Sequence, residues 1–363
     1  MHALKAKFRQ QQQNLKHLHQ RMFNAKSLVL SQLTHYDVIA EYKHARVRYY
    51  ASANAKYKEP LVFVAPLAVN MAIYDLYPYR SLIAYFQDQG FNVYLMDWGN
   101  LNYSHQNLNF LSFIQDLIPH CIEQIQLHSK SEQISLHGWS MAGIFVTLYT
   151  ALKQPNAVKN LLVMGSPMDS YASGHLGKLF ETTQHLIGQM PKIQEYIEQG
   201  KIPKKWIHTP GILNSLGFKI IDPRGWLNSQ KQLITHLHDI QALREHATIG
   251  DFLNHMVDYP GGINQDMVLH LWLKNPLKHG RIRLQDTAIE LKNIHCSLLV
   301  GAGDHDQIVT QAAAQPLIEL TQSTDVTFTL IPGGHLGLMS SQRSADEFWP
   351  KMRDWLSARS TEI

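Results

Sequence analysis

The chain is poor in cysteine, in charge and in long apolar runs. Its 363 residues include two cysteines, Cys121 and Cys296, far apart in the sequence. Two isolated thiols argue against a disulfide framework and against a metal centre built from four thiolates. They fit a reducing compartment. Charged residues are 17% and hydrophobic residues 45% of the chain, which suits a folded protein with a sizeable core. The formal net charge is only +4, and the body of the chain has no basic run dense enough to call for nucleic acid. No stretch approaches the roughly 18 uninterrupted apolar residues of a membrane span. The opening residues, MHALKAKFRQQQQNLKHLHQ, lack the apolar centre of a signal peptide. The expected location is the cytoplasm, with attachment to a granule or membrane surface as the alternative.

Acidic residues are missing from the first 36 positions, which carry Lys5, Lys7, Arg9, Lys16, Arg21 and Lys26. Leu4, Phe8, Leu15, Leu18, Met22 and Val29 recur at spacings built from three and four, with Gln11 and Ala25 between them. That periodicity predicts an amphipathic basic helix in the N-terminal region 1–35. Such a helix either packs on its own domain with lysines outward or docks on a partner, a granule or an anionic membrane.

Further on, short apolar runs alternate with helical stretches. ARVRYYA, PLVFVAP, NVYLMDWG, QISLHG and NLLVMGSP read as strands, with helices near 80–89, 109–129 and 141–153. Alternation of this kind predicts a mostly parallel sheet with helices on both faces. From 168 to 290 it stops, and helical patterns punctuated by HTPG and YPGG take over, without a convincing strand. It resumes with CSLLVGAG, a helix from about 310, VTFTLIPGGH and a last helix ending near Ala358. The predicted organisation is a core made of 36–167 and 291–363, with 168–290 inserted as a helical cap. The cap would lie over the carboxyl edge of the strands, where open α/β sheets bind ligands.

At ISLHGWSMAGIF a strand runs into a helix with Ser140 at the turn. A serine at such an apex is a nucleophile elbow, and the sharp turn admits small side chains alone at its flanks. Here those flanks are Gly138, Ala142 and Gly143. The hydroxyl would stand at the N-terminus of the next helix, with the backbone N–H of Met141 aimed at a developing oxyanion. A second donor is expected from the loop after PLVFVAP, at Leu67 or Ala68.

A serine hydroxyl needs a base, and the base an orienting acid. In this type of fold they follow in the order Ser, Asp, His at strand ends. LLVGAGDHDQIV offers Asp304 and Asp306, and TFTLIPGGHLGLM offers His335. Asp306 is preferred because Gly303 precedes it by three and Ile308-Val309 follow, the pattern of the acid-bearing turn. Asp304 stands as the alternative. With 21 histidines in the chain, position at a strand end is what selects His335.

PLVFVAPLAVNMAIYDL, FNVYLMDWG, ISLHGWSMAGI, NLLVMGSPMD, DYPGGINQDM and GGHLG together resemble the polyhydroxyalkanoate synthase family and its α/β-hydrolase relatives. The resemblance spans roughly residues 35–358. It implies an α/β-hydrolase fold with a helical cap, and transfer of hydroxyacyl groups from coenzyme A to a polyester. It also implies work as a homodimer or with a partner subunit. In place of the family's cysteine stands Ser140, and Asp306 is followed by Gln307 where the family has histidine. A thiolate suits exchange between thioesters, whereas a serine ester is open to water. The expected activity is therefore that of a serine esterase, thioesterase or acyltransferase on a hydroxyacyl substrate. The alternatives are polymer synthesis proper and a non-catalytic scaffold on a granule or partner. No cofactor is expected, and coenzyme A enters as part of a thioester substrate.

Asp97 and Trp98, after a strand, read as a brace for a neighbouring loop rather than as catalytic groups. Asn70 is a candidate brace for the oxyanion loop. Asp304, His305 and Asp306 crowd one turn, but one histidine and two aspartates so placed rarely converge on one ion, so no metal is expected.

Overall fold

The computed structural model describes residues 2–67, 69–153, 156–198, 202–221, 227, 230–231 and 233–363. Its frame is a sheet of eight strands, in the order β1-β2-β4-β3-β5-β6-β9-β10. These are β1 (Asp37–Tyr42), β2 (Ala45–Tyr50), β3 (Leu61–Val64), β4 (Val93–Asp97), β5 (Ile134–Trp139), β6 (Val158–Met164), β9 (Ser297–Gly303) and β10 (Val326–Ile331). β2 runs antiparallel to both β1 and β4, and the remaining pairs are parallel.

Successive side chains of a strand face opposite ways, so a sheet covered on both sides needs apolar residues at every position. β3 meets that demand throughout, and β4 as far as Met96. Val62, Val64, Tyr94 and Met96 enter one apolar core, and Leu61, Phe63, Val93 and Leu95 enter the other. Helix α3 (Ile118–Ser129) and α4 (Met141–Lys153) supply the first core, and α2 (Leu82–Asp88) supplies the second.

Four local expectations change. Helix α1 spans His2–Phe23 and stops there, short of residue 35. Asn24 and Ser27 close it with side-chain and backbone bonds of their own, Ser27 Oγ donating to the Asn24 carbonyl at 2.8 Å. The stretch 109–129 is not one regular helix: a π-helical segment, Ser112–Leu117, precedes α3. Pro119 lacks an N–H and fits only the first turn of a fresh helix, which locates the break. The helix from 310 is two short pieces, Gln311–Ala314 and Leu317–Leu320, parted by Pro316.

The fourth change lies between β6 and β9. That stretch holds the helices Gly174–Gly188, Pro191–Glu198, Gly211–Ile221 and Ile240–Asn254, and the π-helical Gln265–Leu273. It also holds a hairpin, β7 (Arg281–Leu284) with β8 (Thr287–Glu290), where no strand was expected. Ile282 and Leu284 point inward and the arginines outward, an alternation too short to stand out. The tight turn uses Gln285 at φ 51°, where Asn or Gly would have been the legible signal.

Candidate active site

Ser140 sits between the last residue of β5 and the first of α4, at φ 58°. A non-glycine residue in the left-handed region is held there by its surroundings. Its N–H donates to the Met164 carbonyl of β6 at 2.8 Å. Its own carbonyl accepts from Ser166 Oγ at 2.8 Å. Two glycines make the turn sterically feasible. A Cβ on Gly138 would stand 2.5 Å from the Ala142 carbonyl oxygen, and one on Gly143 would stand 1.9 Å from Ser166 Oγ. Ser166 is thus a member of the elbow that lies 26 residues from Ser140. Nothing in the local sequence pointed to it.

His335 Nε2 lies 2.9 Å from Ser140 Oγ. Its Nδ1 lies 2.7 Å from Asp306 Oδ2. Both His335 and Asp306 are buried. The other oxygen of Asp306 accepts from the N–H groups of Ile308 and Val309 at 2.8 and 2.9 Å, which fixes the carboxylate in its turn. Trp139 packs against the imidazole with ring centroids 5.0 Å apart. An imidazole between a hydroxyl and a hydrogen-bonded carboxylate has the geometry to take and return a proton.

Asp304, the alternative acid, has other partners. It accepts from the Gly333 N–H and binds His305 Nδ1, both at 2.7 Å. The Gly333 bond first, and His305 second, hold its carboxyl below the usual range. Asp304 therefore ties down the loop that carries His335 instead of facing the ring.

The remaining candidates fall into two places. Met141 opens α4 and lines the cavity in front of Ser140, with its N–H in the first helical turn. Leu67 lines a second, more polar cavity of about 220 Å³ together with Asn70, Asp97 and Trp98. Ala68 lies outside the described residues. Asn70 accepts from the Ala72 N–H at 2.9 Å and donates to the His255 carbonyl at 3.2 Å, joining the loop after β3 to the insertion. Asp97 is fully buried between Arg48 (2.7 Å) and Arg46 (3.1 Å) and accepts from the Gly99 N–H at 2.8 Å. Trp98 donates to the Ala65 carbonyl at 2.7 Å. Both brace strand ends.

The cavity in front of Ser140 has a volume of about 300 Å³. Leu176, Phe180, Leu213, Met267 and Trp272 make its wall mainly apolar, and all come from the insertion. Asn214 and Tyr259 add polar atoms. Burial pushes the Tyr259 phenol far above its ordinary value, so it remains a neutral donor. Tyr259 belongs to the DYPGG stretch, which had a family resemblance but no assigned role.

The family described as the alpha/beta hydrolase fold matches residues 69–195. A poly(3-hydroxyalkanoate) polymerase subunit PhaC of Haloferax mediterranei is 24% identical over 89% of this chain and 63% of its own length. The PhaC subunit of Allochromatium vinosum is 25% identical over 83% of this chain and 81% of its own. The chain has the α/β-hydrolase fold and is similar in sequence to these polyhydroxyalkanoate polymerase subunits. It spans about three fifths of the haloarchaeal relatives' length. The fold is also similar to that of a monoacylglycerol lipase from Paleococcus ferrophilus, with a TM-score of 0.51 and 17% identity over 84% of this chain and 98% of the other. Among the described residues no helix is long and apolar enough to cross a membrane.

Proposed function

We propose that this synthase-like chain transfers acyl groups, through Ser140, from a hydroxyacyl ester or a hydroxyacyl-coenzyme A thioester. The observation that carries the reading is the unbroken contact from Ser140 Oγ to His335 (2.9 Å) and from His335 to Asp306 (2.7 Å) at the end of an apolar cavity. Ser140 Oγ attacks the acyl carbon and its proton passes to His335 Nε2. The carbonyl electron pair moves onto oxygen, facing the Met141 N–H, with Leu67 or Ala68 as the source of a second donor. When the tetrahedral intermediate collapses, the bond to the leaving thiol or alcohol breaks and His335 returns the proton to it. Asp306 holds the ring and steadies its charged form. Water, activated by His335, then releases the free acid and restores Ser140. The sequence of steps uses no cofactor, and coenzyme A takes part as leaving group.

A second reading is supported by the relatives named as polymerase subunits. In it the hydroxyl of another hydroxyacyl unit replaces water and the polyester grows on Ser140. The oxyester at Ser140 favours the hydrolytic route, since it lacks the thioester's ease of exchange. The site of action is the cytoplasm or the surface of a granule in it.

Incubation of the full chain with 3-hydroxybutyryl-coenzyme A separates these readings. Free acid with free thiol supports hydrolysis, and polymer with free thiol supports synthesis. A folded protein that releases no thiol and resists a fluorophosphonate at Ser140 sinks both, and leaves a scaffold.

A further inference from the structure

Helix α1 is mounted on the body of the protein in an unexpected sense. Its contact with the helix Ile240–Asn254 and the segment before it is made by polar residues. His17 is buried and its Nδ1–H donates to the Leu237 carbonyl at 2.6 Å. Arg21 reaches Gly250, where a Cβ would lie 3.3 Å from its guanidinium. Asn14 Oδ1 and Arg21 Nε are buried there without partners among the described residues. The apolar residues face away: Phe8 is 60% exposed, Leu15 67% and Met22 66%, with Leu18 at 40%. Positions 8, 15 and 22 are seven apart, so they form one stripe along the helix. A helix packed for stability alone turns that stripe inward.

The charge around the stripe selects its occupant. Arg9 and Lys16 are exposed and stand about 80–100° round the axis from Phe8, at 3.6 residues per turn. They are among six basic residues that precede the first acid, Asp37. Five of the six lie in α1, so a second copy of the helix would bring five like charges against these five, which opposes self-pairing. An anionic phospholipid surface meets both demands. Its headgroups neutralise the basic flank and its acyl boundary accepts Phe8, Leu15 and Met22 to a depth of about 5–10 Å.

We propose that α1 lies in the plane of an anionic phospholipid surface, apolar stripe down, and holds the enzyme there without spanning it. The proposal does not depend on the chemistry assigned to Ser140.

The test is flotation of the full chain with vesicles of phosphatidylglycerol and phosphatidylcholine, against vesicles of phosphatidylcholine alone. The chain is expected to float with the anionic vesicles and to detach as salt shortens the screening length to about 3 Å near 1 M. Phe8→Ser with Leu15→Ser and Met22→Ser should lower vesicle affinity by about 100-fold or more, as lost apolar anchoring predicts. Arg9→Glu with Lys16→Glu should abolish the preference for the anionic lipid. Both variants should keep the wild-type circular dichroism and fluorophosphonate labelling of Ser140. Wild type that floats with neither vesicle, or serine variants that float as well as wild type, would overturn the proposal. So would a dimer in sedimentation that the serine variants dissociate while vesicle binding is nil. Loss of Ser140 labelling with flotation intact would instead count against the acyl-transfer reading.

Discussion

Ser140, Asp306 and His335 all stand at the ends of sheet strands, and each is fixed by backbone bonds. The elbow is pinned to Met164, the carboxylate to two N–H groups, and the histidine loop to Asp304. The facing wall of the cavity is built otherwise. Tyr259, Asn214 and Trp272 come from the insertion between β6 and β9, whose π-helical segment holds a buried carboxylate at Asp266. The sheet side carries strain and satisfies it locally. The insertion side carries a charge that its surroundings disfavour. Under the proposed function, the contrast separates a part that would set reaction geometry from a part that would shape what enters.

The sharpest break of that comparison is at the nucleophile. Ser140→Ala should lower acyl-enzyme turnover by about 10⁴-fold or more, because the proton relay loses its substrate. Stability in urea should change by less than about 1 kcal/mol, since the exchange removes one oxygen from a turn that glycines already accommodate. An active variant would place the chemistry elsewhere.

Next come the two aspartates of one turn. Asp306→Asn should cost roughly 10³–10⁴-fold in kcat by favouring the wrong tautomer of His335. Asp304→Asn leaves the His335–Asp306 bond untouched and replaces one acceptor for the Gly333 N–H with another. Its expected loss in kcat is within about tenfold, as for a group acting through loop position. Equal losses in the two variants would merge the roles that the geometry separates.

Burial sharpens the insertion side. Desolvation pushes the Asp266 carboxyl up to about 6, against the help of the Phe110 N–H that donates to it at 2.8 Å. A group whose folded pKa is raised favours the folded state most below its unfolded value, near 4. That contribution is lost as pH rises through about 6. About two units correspond to about 3 kcal/mol at most. Asp266→Asn keeps an acceptor for Phe110 without the charge. The variant should therefore unfold later than wild type at pH 8, with the gap closing by pH 4. Thermal melts across that range check it, and a gap that widens on acidification would contradict the burial argument.

The same division explains what the sequence made legible. β3 is apolar throughout and β4 as far as Met96, and α4 follows a glycine-flanked serine, so parallel sheet and elbow could be read directly. The acid was chosen from the spacing of Gly303, Asp306 and Val309, which reflects a turn closed by local hydrogen bonds. Ser166 was invisible because its bond to the Ser140 carbonyl depends on β6 lying beside β5. The hairpin at 281–290 was hidden by short strands and by a turn, Gln285-Asp286, whose left-handed position is taken by glutamine instead of Asn or Gly. The outward stripe of α1 was predicted as an amphipathic face. Which face docks was decided by His17 meeting the Leu237 carbonyl and Arg21 meeting the helix Ile240–Asn254, a tertiary fact with no local mark.

The smallest expected effect is at Tyr259, and it tests whether the insertion reads the substrate's hydroxyl. The cavity wall is mainly apolar, so an acyl chain enters it at little cost, whereas a hydroxyl buried there without a partner loses its hydration. Tyr259 keeps its proton and offers a donor on that wall, and Asn214 is held beside it by a 2.9 Å bond to the Val257 carbonyl. Tyr259→Phe removes the donor and preserves the ring. For a 3-hydroxybutyryl ester kcat/KM should fall by roughly 3–10-fold, the value of one neutral hydrogen bond. For the plain butyryl ester it should hold or rise, because the unpaired phenol is gone. Parallel losses on both esters would mean that Tyr259 serves packing alone and that the hydroxyl is read elsewhere on the wall.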